Sequence, residues 1–302
     1  MQNTLIPQLL AFALVSAFGF FLGRKSYLTP ETASQVSGIL VNFVLPLTII
    51  RSFLRPFEWE EAKLIFFIFL ISLIFTAIYA LLARLIFGKD RVLDRYAAIF
   101  SNKGFVGIPL VTAIYGSHTV IYVTPSIIMT NLLAWTYGTK LLGTKENFTL
   151  RKLLMNPNTI AFFVGLALYM ISPPVPDFLS EAIALITAMN SPLAMIMLGF
   201  FLSQGKLSAI FNRPYSWFTA MIKLLVFPAL TIGILMLIPG LTTEFKVVTA
   251  IIYACPTALN FTMQASIAGQ DTKYAAQLTS LMVILSMVSM PLIFELSRIA
   301  FP

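Results

Sequence analysis

Charged residues are scarce in this sequence, and acidic residues are missing from the middle of its long apolar runs. Charged side chains make up 11% of the 302 residues, 58% are hydrophobic, and the mean hydropathy is +0.89. So few charges cannot cover a water-facing surface, which excludes a soluble globular protein. The lack of Asp and Glu at depth also argues against a proton or cation antiporter that works through intramembrane carboxylates.

The residues that membrane enzymes use are missing as well. The sequence has one histidine, His118 in a short turn, and one cysteine, Cys255. No internal disulfide, His-Glu-x-x-His motif or metal-binding cluster is therefore expected. We predict neither an enzyme nor a bound cofactor or metal. The net charge of +8 is carried by short connectors between apolar runs, which indicates membrane topology and not a nucleic-acid partner.

Ten apolar windows have the length of about 20 residues that crosses the hydrocarbon of a bilayer. They span residues 5–22, 33–54, 64–87, 96–115, 119–142, 156–172, 179–203, 215–238, 246–267 and 274–297. The sequence therefore predicts an all-α polytopic membrane protein with ten transmembrane helices, here called segments 1 to 10.

Basic residues are concentrated in alternate connectors, which predicts the orientation in the membrane. One set of connectors holds Arg24, Lys25, Arg84, Lys89, Arg91, Arg95, Lys140, Lys145, Arg151, Lys152, Lys206, Arg213 and Lys273. The other set holds Arg51, Arg55, Lys63, Lys246 and Arg298. Under the positive-inside rule the richer set is cytoplasmic, so both termini lie outside the cell membrane. Five segments per half then invert the second half relative to the first.

Prolines interrupt apolar segments at corresponding places in the two halves. Pro46 in segment 2 matches Pro192 in segment 7, and Pro109 in segment 4 matches Pro256 in segment 9. Proline lacks an N–H group and clashes with the preceding helical turn, so we expect a helix break at each of the four, with simple packing kinks as the alternative. Broken helices at matched positions are typical of secondary transporters built from inverted repeats.

Segments 4 and 9 carry the most polar residues at depth, with Gly107 and Cys255 next to their prolines. If both segments unwind there, positive N-terminal helix ends point to the midplane. The negative ends of the preceding half-helices nearly cancel this field, so side chains decide the sign of the ligand. We predict an anion site whose candidate substrate-binding residues are Asn102, Lys103, Asn260, Asn42 and Asn190.

Other interpretations of these polar residues remain open. Lys103 lies within reach of the cytoplasmic interface, to which its side chain could extend. Lys223 is similarly placed in segment 8, near the cytoplasmic connector, and we interpret it as a lysine that reaches the interface. The asparagines could form hydrogen bonds between helices instead of binding a ligand.

Several stretches, in the same order along the chain, resemble the auxin efflux carrier family of bacteria and plants. They are SNKGFVGIPL at 101–110, NPN at 156–158, SPLAMIMLG at 191–199, CP at 255–256 and ASIAG at 265–269. The resemblance implies two inverted five-helix repeats in which helices 4 and 9 cross at their broken prolines, as in sodium/proton antiporters and bile-acid symporters. It also implies a carrier of small organic anions, such as auxin-like acids or dicarboxylates. The family usually has a small or hydroxylated residue where Lys103 stands, so a fixed amine would replace a bound cation.

By this resemblance the repeats occupy residues 1–142 and 156–302, and a cytoplasmic connector occupies 143–155. By analogy of fold, helices 1, 2, 6 and 7 would form a scaffold that dimerises in the lipid bilayer, and helices 3–5 and 8–10 a transport unit. We hypothesise a secondary carrier that moves its anion by an elevator-type mechanism. Two alternatives stay open: a sodium-coupled bile-acid-type symporter, and a membrane sensor that binds its ligand without moving it.

The predicted orientation can be tested by labelling single cysteines with a membrane-impermeant maleimide. In a Cys255→Ala background, a cysteine placed next to Lys145 should react only from the cytoplasmic side. A cysteine next to Asp177 should react only from outside, because an odd number of spans separates the two positions. Labelling of both positions from outside would contradict the ten-span orientation.

Overall fold

The computed structural model describes residues 5–144, 151, 154–204, 213–258 and 260–302. Every named element in these residues is helical, and none is a strand. The predicted all-α fold class is confirmed. Most of the connector predicted at 143–155 lies outside the described residues, and so do Lys145, Lys152 and Lys206 of the predicted cytoplasmic set.

The described chain forms helices that we number α1 to α12. They are α1 (Leu5–Arg24), α2 (Pro30–Phe53), α3 (Trp59–Phe87), α4 (Val92–Ile99), α5 (Lys103–Tyr115), α6 (Ser117–Leu142), α7 (Pro157–Ile171), α8 (Asp177–Gln204), α9 (Pro214–Met236), α10 (Thr243–Ala254), α11 (Phe261–Ile267) and α12 (Thr272–Ala300). Six of them, α2, α3, α6, α8, α9 and α12, are long and apolar enough to cross a membrane. The chain is a multi-pass membrane protein, while the count of ten spans and their inverted repeat stay predictions.

Side-chain caps explain why several helices begin where they do. Thr29 accepts a hydrogen bond from the backbone of Thr32 at the start of α2, and Asn156 accepts one from Asn158 at the start of α7. In both helices a proline follows the cap directly, at a position where its missing N–H costs nothing. Asp271 caps α12 in the same way by accepting from the Tyr274 amide at 2.9 Å.

Widened turns accommodate two prolines inside the long helices α2 and α9. Five-residue π-helical stretches, Leu40–Val44 and Ile222–Val226, come directly before the dipeptides that contain Pro46 and Pro228. The amide of Leu45 donates to the carbonyl of Leu40, five residues back. A wider turn fits here because proline has no N–H and its ring crowds the carbonyl four residues earlier. The predicted helix break at Pro46 is therefore wrong.

Pro192 does not break its segment either. It lies in the first turn of an α-helical stretch, Asn190–Gln204, which follows the stretch Asp177–Ala188 after a single turn residue, Met189. An early helical position tolerates proline because its amide would have little to bond there. The predicted break at Pro192 is wrong, and the irregularity precedes the proline.

The chain divides into two compact units of discontinuous sequence. Unit 1 consists of Met1–Leu70, Gly104–Ile128 and Thr149–Gln204, and unit 2 of Ile71–Lys103, Met129–Phe148 and Gly205–Pro302. Helices α3, α5 and α6 contribute residues to both units. The predicted division into repeats, and into a scaffold and a transport unit, stays a prediction.

The core of unit 1 is built around an aromatic cluster at the end of α2. The Phe53 ring packs edge-on against Phe162 and Tyr169 of α7, with centroids 5.6 and 6.0 Å apart. Gly165 makes this approach possible, because a Cβ there would lie 2.7 Å from the Phe53 ring. The Tyr169 hydroxyl donates to Glu61 at 2.8 Å, which anchors α7 to the start of α3.

Helices α1 and α8 of unit 1 make an unusually close contact. A Cβ on Gly199 would lie 1.8 Å from the Ser16 carbonyl oxygen, and a Cβ on Gly19 would lie 2.2 Å from that of Ile196. Small residues that let backbones touch are the usual basis of helix association in membranes, where apolar surface alone gives no driving force.

A Gly199→Ala substitution should therefore destabilise the protein by about 1–3 kcal/mol, the usual cost of overpacking a tight interface. Gly233→Ala serves as the control, since no atom lies within 4 Å of a Cβ there. Alanine also favours helix over glycine, so this control should be neutral or slightly stabilising. Thermal unfolding of the detergent-purified variants measures the difference. Equal stability of the two variants would contradict the close contact between α1 and α8.

Candidate functional site

Two helix interruptions lie in unit 2. The first interruption separates α4 from α5: Phe100, directly after α4, has extended backbone angles, and α5 begins at Lys103. The second separates α10 from α11: the chain leaves the helix at Cys255, directly before Pro256. A residue before proline is sterically disfavoured in the helical region, which explains the position of this second interruption.

The two interruptions pair with each other, and we call residues 100–102 and 255–258 the crossover. Ser101 and Thr257 form an antiparallel bridge. The Asn102 amide donates to the Pro256 carbonyl at 2.8 Å, and the Ala258 amide donates to the Phe100 carbonyl at 3.2 Å. Backbone groups left free by a helix break cost several kcal/mol in hydrocarbon. Here each interruption supplies partners for the other.

Pro109 does not mark the first interruption, so the predicted break at Gly107 and Pro109 is wrong. Gly107 ends a π-helical stretch, Lys103–Gly107, and Pro109 is the second residue of the α-helical stretch Ile108–Tyr115 that continues it. The break comes earlier, in the polar run that begins at Ser101. That run of small and polar residues is the signal that locates it, whereas the proline points to the wrong turn.

Two lysines are buried in unit 2 beside the crossover. Lys103 is 3% exposed, and its Nζ donates to the Thr130 hydroxyl at 2.9 Å. Lys223 is fully buried, and its Nζ donates to the Ser101 hydroxyl. The interpretation of Lys223 as a lysine that reaches the membrane interface is therefore wrong. Lys103 does not extend to the interface either.

Two tyrosines accompany the lysines. The Lys103 Nζ lies 3.9 Å from the centre of the Tyr253 ring, and the Lys223 Nζ lies 6.0 Å from that of Tyr79. The two rings are perpendicular, with centroids 5.7 Å apart. Tyr79 is held in turn by its hydroxyl, which donates to the Phe227 carbonyl at 2.8 Å. Aromatic faces stabilise a buried ammonium group, but only partly replace its lost hydration.

The sequence around these lysines is free of negative charge. Residues 95–145, 182–243 and 245–270 contain no Asp or Glu. The contacts described above for the two buried amines are with hydroxyl groups and aromatic rings, and both amines lie beside the crossover. Among the described residues, no three His, Cys, Asp or Glu side chains lie close enough together to hold a metal ion.

Several buried polar atoms near the crossover have no partner within the described chain. They are Asn260 Oδ1, Thr257 Oγ1 and Gln264 Nε2. Asn260 precedes the first residue of α11, and the other amide atom of Gln264, Oε1, accepts from Tyr96 at 2.9 Å. Buried polar groups are nearly always hydrogen-bonded in native proteins, so a bound ligand or water is expected to reach these atoms.

The remaining predicted site residues differ in their placement. Asn102 is buried at the crossover itself. Asn42 and Asn190 belong to unit 1. Asn42 is exposed within the π-helical stretch of α2. Asn190 is buried at the start of its helical stretch, and its Oδ1 has no partner among the described residues.

One buried carboxylate in unit 2 is not among the residues predicted from the sequence. Asp94 of α4 is 3% exposed and accepts hydrogen bonds from Thr219 at 2.6 Å and from Tyr274. A guanidinium nitrogen of Arg91 lies 3.8 Å away. Asp94 precedes the apolar window at 96–115, a position typical of a connector. The structure shows that it ties α4 to α9 and α12.

Comparison with known proteins identifies the family. A family model described as membrane transport protein matches residues 4–148 and 144–294, nearly the whole chain. The chain belongs to this family. The resemblance to auxin efflux carriers is thereby confirmed, because the membrane transport protein family includes them. No curated protein matches the chain. Membership in the membrane transport protein family makes this chain a membrane transporter.

The two prolines of segments 4 and 9 should now behave differently. Pro256→Ala restores a backbone N–H and allows Cys255 to become helical, so α10 can extend. This extension would break the hydrogen bond from the Asn102 amide to the carbonyl of residue 256. Loss of one such bond should raise amide exchange in residues 98–104 by up to about tenfold. Pro109→Ala should leave that exchange unchanged. Hydrogen exchange with mass spectrometry measures both variants, and equal protection in both would contradict this role of Pro256.

Proposed function

We propose that this transporter is a secondary carrier of a small organic anion, a carboxylate such as an auxin-like acid or a dicarboxylate, in the cytoplasmic membrane. The observation that carries the proposal is the pair of buried lysines, Lys103 and Lys223, at a crossover of two interrupted helices. A carboxylate between the two amines would compensate their burial with charge-assisted hydrogen bonds.

Neutral groups would complete the binding site. The unpartnered Asn260 Oδ1 is an acceptor, and Gln264 Nε2 is a donor. Thr257 offers a hydroxyl that can do either. A protonated or hydroxyl-bearing part of the substrate can donate to Asn260 Oδ1. Carboxylate oxygens can accept from Gln264 Nε2 and from the Thr257 hydroxyl. The asparagines predicted from the sequence, Asn102 and Asn260, thus keep a place in the proposal beside Lys103.

The proposed transport step is an elevator-type movement of the crossover. In this proposal the interrupted pairs α4 with α5 and α10 with α11 are the fourth and ninth of ten spans in two inverted repeats, and both termini lie outside. Helices α1, α2, α7 and α8 would form the scaffold, with a possible dimer contact. Because the crossover is held by hydrogen bonds within unit 2, it can move with its ligand as one body.

The two buried lysines also affect which ion could be coupled to transport. A sodium ion prefers a site of oxygen ligands, and two nearby ammonium groups would repel it. We therefore favour a carrier in which a fixed amine replaces the cation over the sodium-coupled bile-acid-type symporter. A sensor would bind the same anions, and only flux separates it from a carrier.

The test compares substrate affinity in lysine variants. A thermal-shift screen of carboxylates on the purified protein first identifies a ligand. Lys103→Ala and Lys223→Ala should each weaken its binding by about 1.5–3 kcal/mol, the range for hydrogen bonds to charged groups. Lys103→Arg should not fully restore binding, since a planar guanidinium group does not replace a compact ammonium group. Calorimetry at fixed pH and salt gives these affinities.

Lys140→Ala is the matched control, because Lys140 is an exposed lysine of the same unit. Its affinity should equal that of the parent. Radiotracer uptake into proteoliposomes, with and without sodium, then separates a carrier from a sensor and from a sodium symporter. Unchanged affinity in both buried-lysine variants would remove the basis of the proposal.

A further inference from the structure

A basic cavity lies in unit 1, at the end of α2. Its volume is about 230 Å³, and it is lined by Arg51, Ser52, Arg55, Ser117, His118, Ser180 and three aliphatic side chains. No Asp or Glu lines it among the described residues. Ser117, His118 and Ser180 are exposed, so the cavity is accessible from the surface.

Arg51 is fixed in place by a neutral hydroxyl, and no ion pair of Arg51 is seen among the described residues. Its Nη1 donates to the hydroxyl of Thr187 on α8 at 2.7 Å. That bond uses one of the five N–H groups of the guanidinium. Because Thr187 orients the fork in advance, little conformational freedom is lost when an anion binds to the remaining donors.

Arg55 adds a donor that lacks a partner. Its Nη2 lies 2.8 Å from the Glu61 carboxylate, an ion pair whose side chains are 23% and 18% exposed. The Arg55 Nε is buried and has no hydrogen-bond partner among the described residues. A buried N–H without an acceptor is costly, so this atom points to a ligand oxygen.

We infer that this cavity is an anion site that binds a small carboxylate between Arg51 and Arg55, with the serine hydroxyls and His118 around it. The arginines supply paired donors that match carboxylate geometry. The volume is below the roughly 300–1,000 Å³ of pockets for drug-sized ligands, which favours a small carboxylate over a steroid-like anion. A role of this site in transport, on the outer side of the membrane, rests on the proposed function. Its ability to bind an anion does not.

Arginine footprinting tests the inference on the purified full-length protein. Phenylglyoxal modification of each arginine is followed by mass spectrometry, with succinate as the probe and uncharged succinamide in a parallel sample. Succinate should slow modification of Arg51 and Arg55 several-fold, and succinamide should not. Arg298 is the matched reference, because its side chain is 33% exposed and also pairs with a carboxylate. Equal protection of Arg298, or none of Arg51, would overturn the inference.

Two variants separate a built site from general surface charge. Arg55→Gln should raise the succinate concentration that half-protects Arg51 by about tenfold, the effect of losing one charged hydrogen bond. Lys63→Gln removes a charge from an exposed residue near the start of α3 that does not line the cavity, and it should change nothing. Equal shifts in the two variants would reduce the cavity to nonspecific attraction and overturn the site.

Two further experiments distinguish this site from the crossover and from a lipid-binding site. Protection should persist in Lys103→Ala, and its loss there would overturn an independent site. In nanodiscs, protection should require succinate whether the lipid is phosphatidylcholine or phosphatidylglycerol. Protection by phosphatidylglycerol alone would assign the cavity to a lipid headgroup and overturn the carboxylate. If succinate protects the arginines but no substrate flux is measured, only the proposed transport is contradicted. If flux is measured without protection of the arginines, only this site is contradicted.

Discussion

The site depends on one constraint: in hydrocarbon, each backbone N–H and C=O group needs a partner inside the protein. Helices α4 and α10 end at the two interruptions, and each would leave free backbone groups if it stood alone. The bonds from Asn102 to Pro256 and from Ala258 to Phe100 remove that cost for both at once. As a result neither interruption can shift without the other, and the residues beside them, Ser101 and Lys103, are held in fixed positions.

The fixed backbone determines the electrostatics. Lys223 donates to the hydroxyl of Ser101, a crossover residue, and Lys103 begins the helix that leaves the crossover. The perpendicular rings of Tyr253 and Tyr79 lie 3.9 and 6.0 Å from the amines of Lys103 and Lys223. Hydroxyls and rings hold the amines in place but do not neutralise them. In the proposed function a negatively charged ligand would bind beside these two amines.

The sequence is sufficient to predict the helices and insufficient to predict the depth of single side chains. The windows at 119–142 and 179–203 nearly coincide with Ser117–Leu142 and Asp177–Gln204, because long apolar runs have one stable solution in a bilayer. The burial of Lys223 depends on packing, whereas its distance from a connector is a property of the sequence alone. Pro109 lacks an N–H group, as expected, but the π-helical stretch Lys103–Gly107 before it accommodates the proline without a break. Pro256 marks its interruption because no such turn precedes Cys255.

The widened turns before Pro46 and Pro228 have a consequence for how the faces of these helices are interpreted. Each π-helical stretch takes up one residue more than an α-helical turn, so all later side chains are rotated by about 100° around the axis. The exposed residues Met221 and Val226 of α9 follow each other at an interval of five positions, whereas a uniform helix repeats a face every three or four. A helical wheel drawn through α2 or α9 as a uniform helix therefore assigns the wrong neighbours to residues beyond the proline.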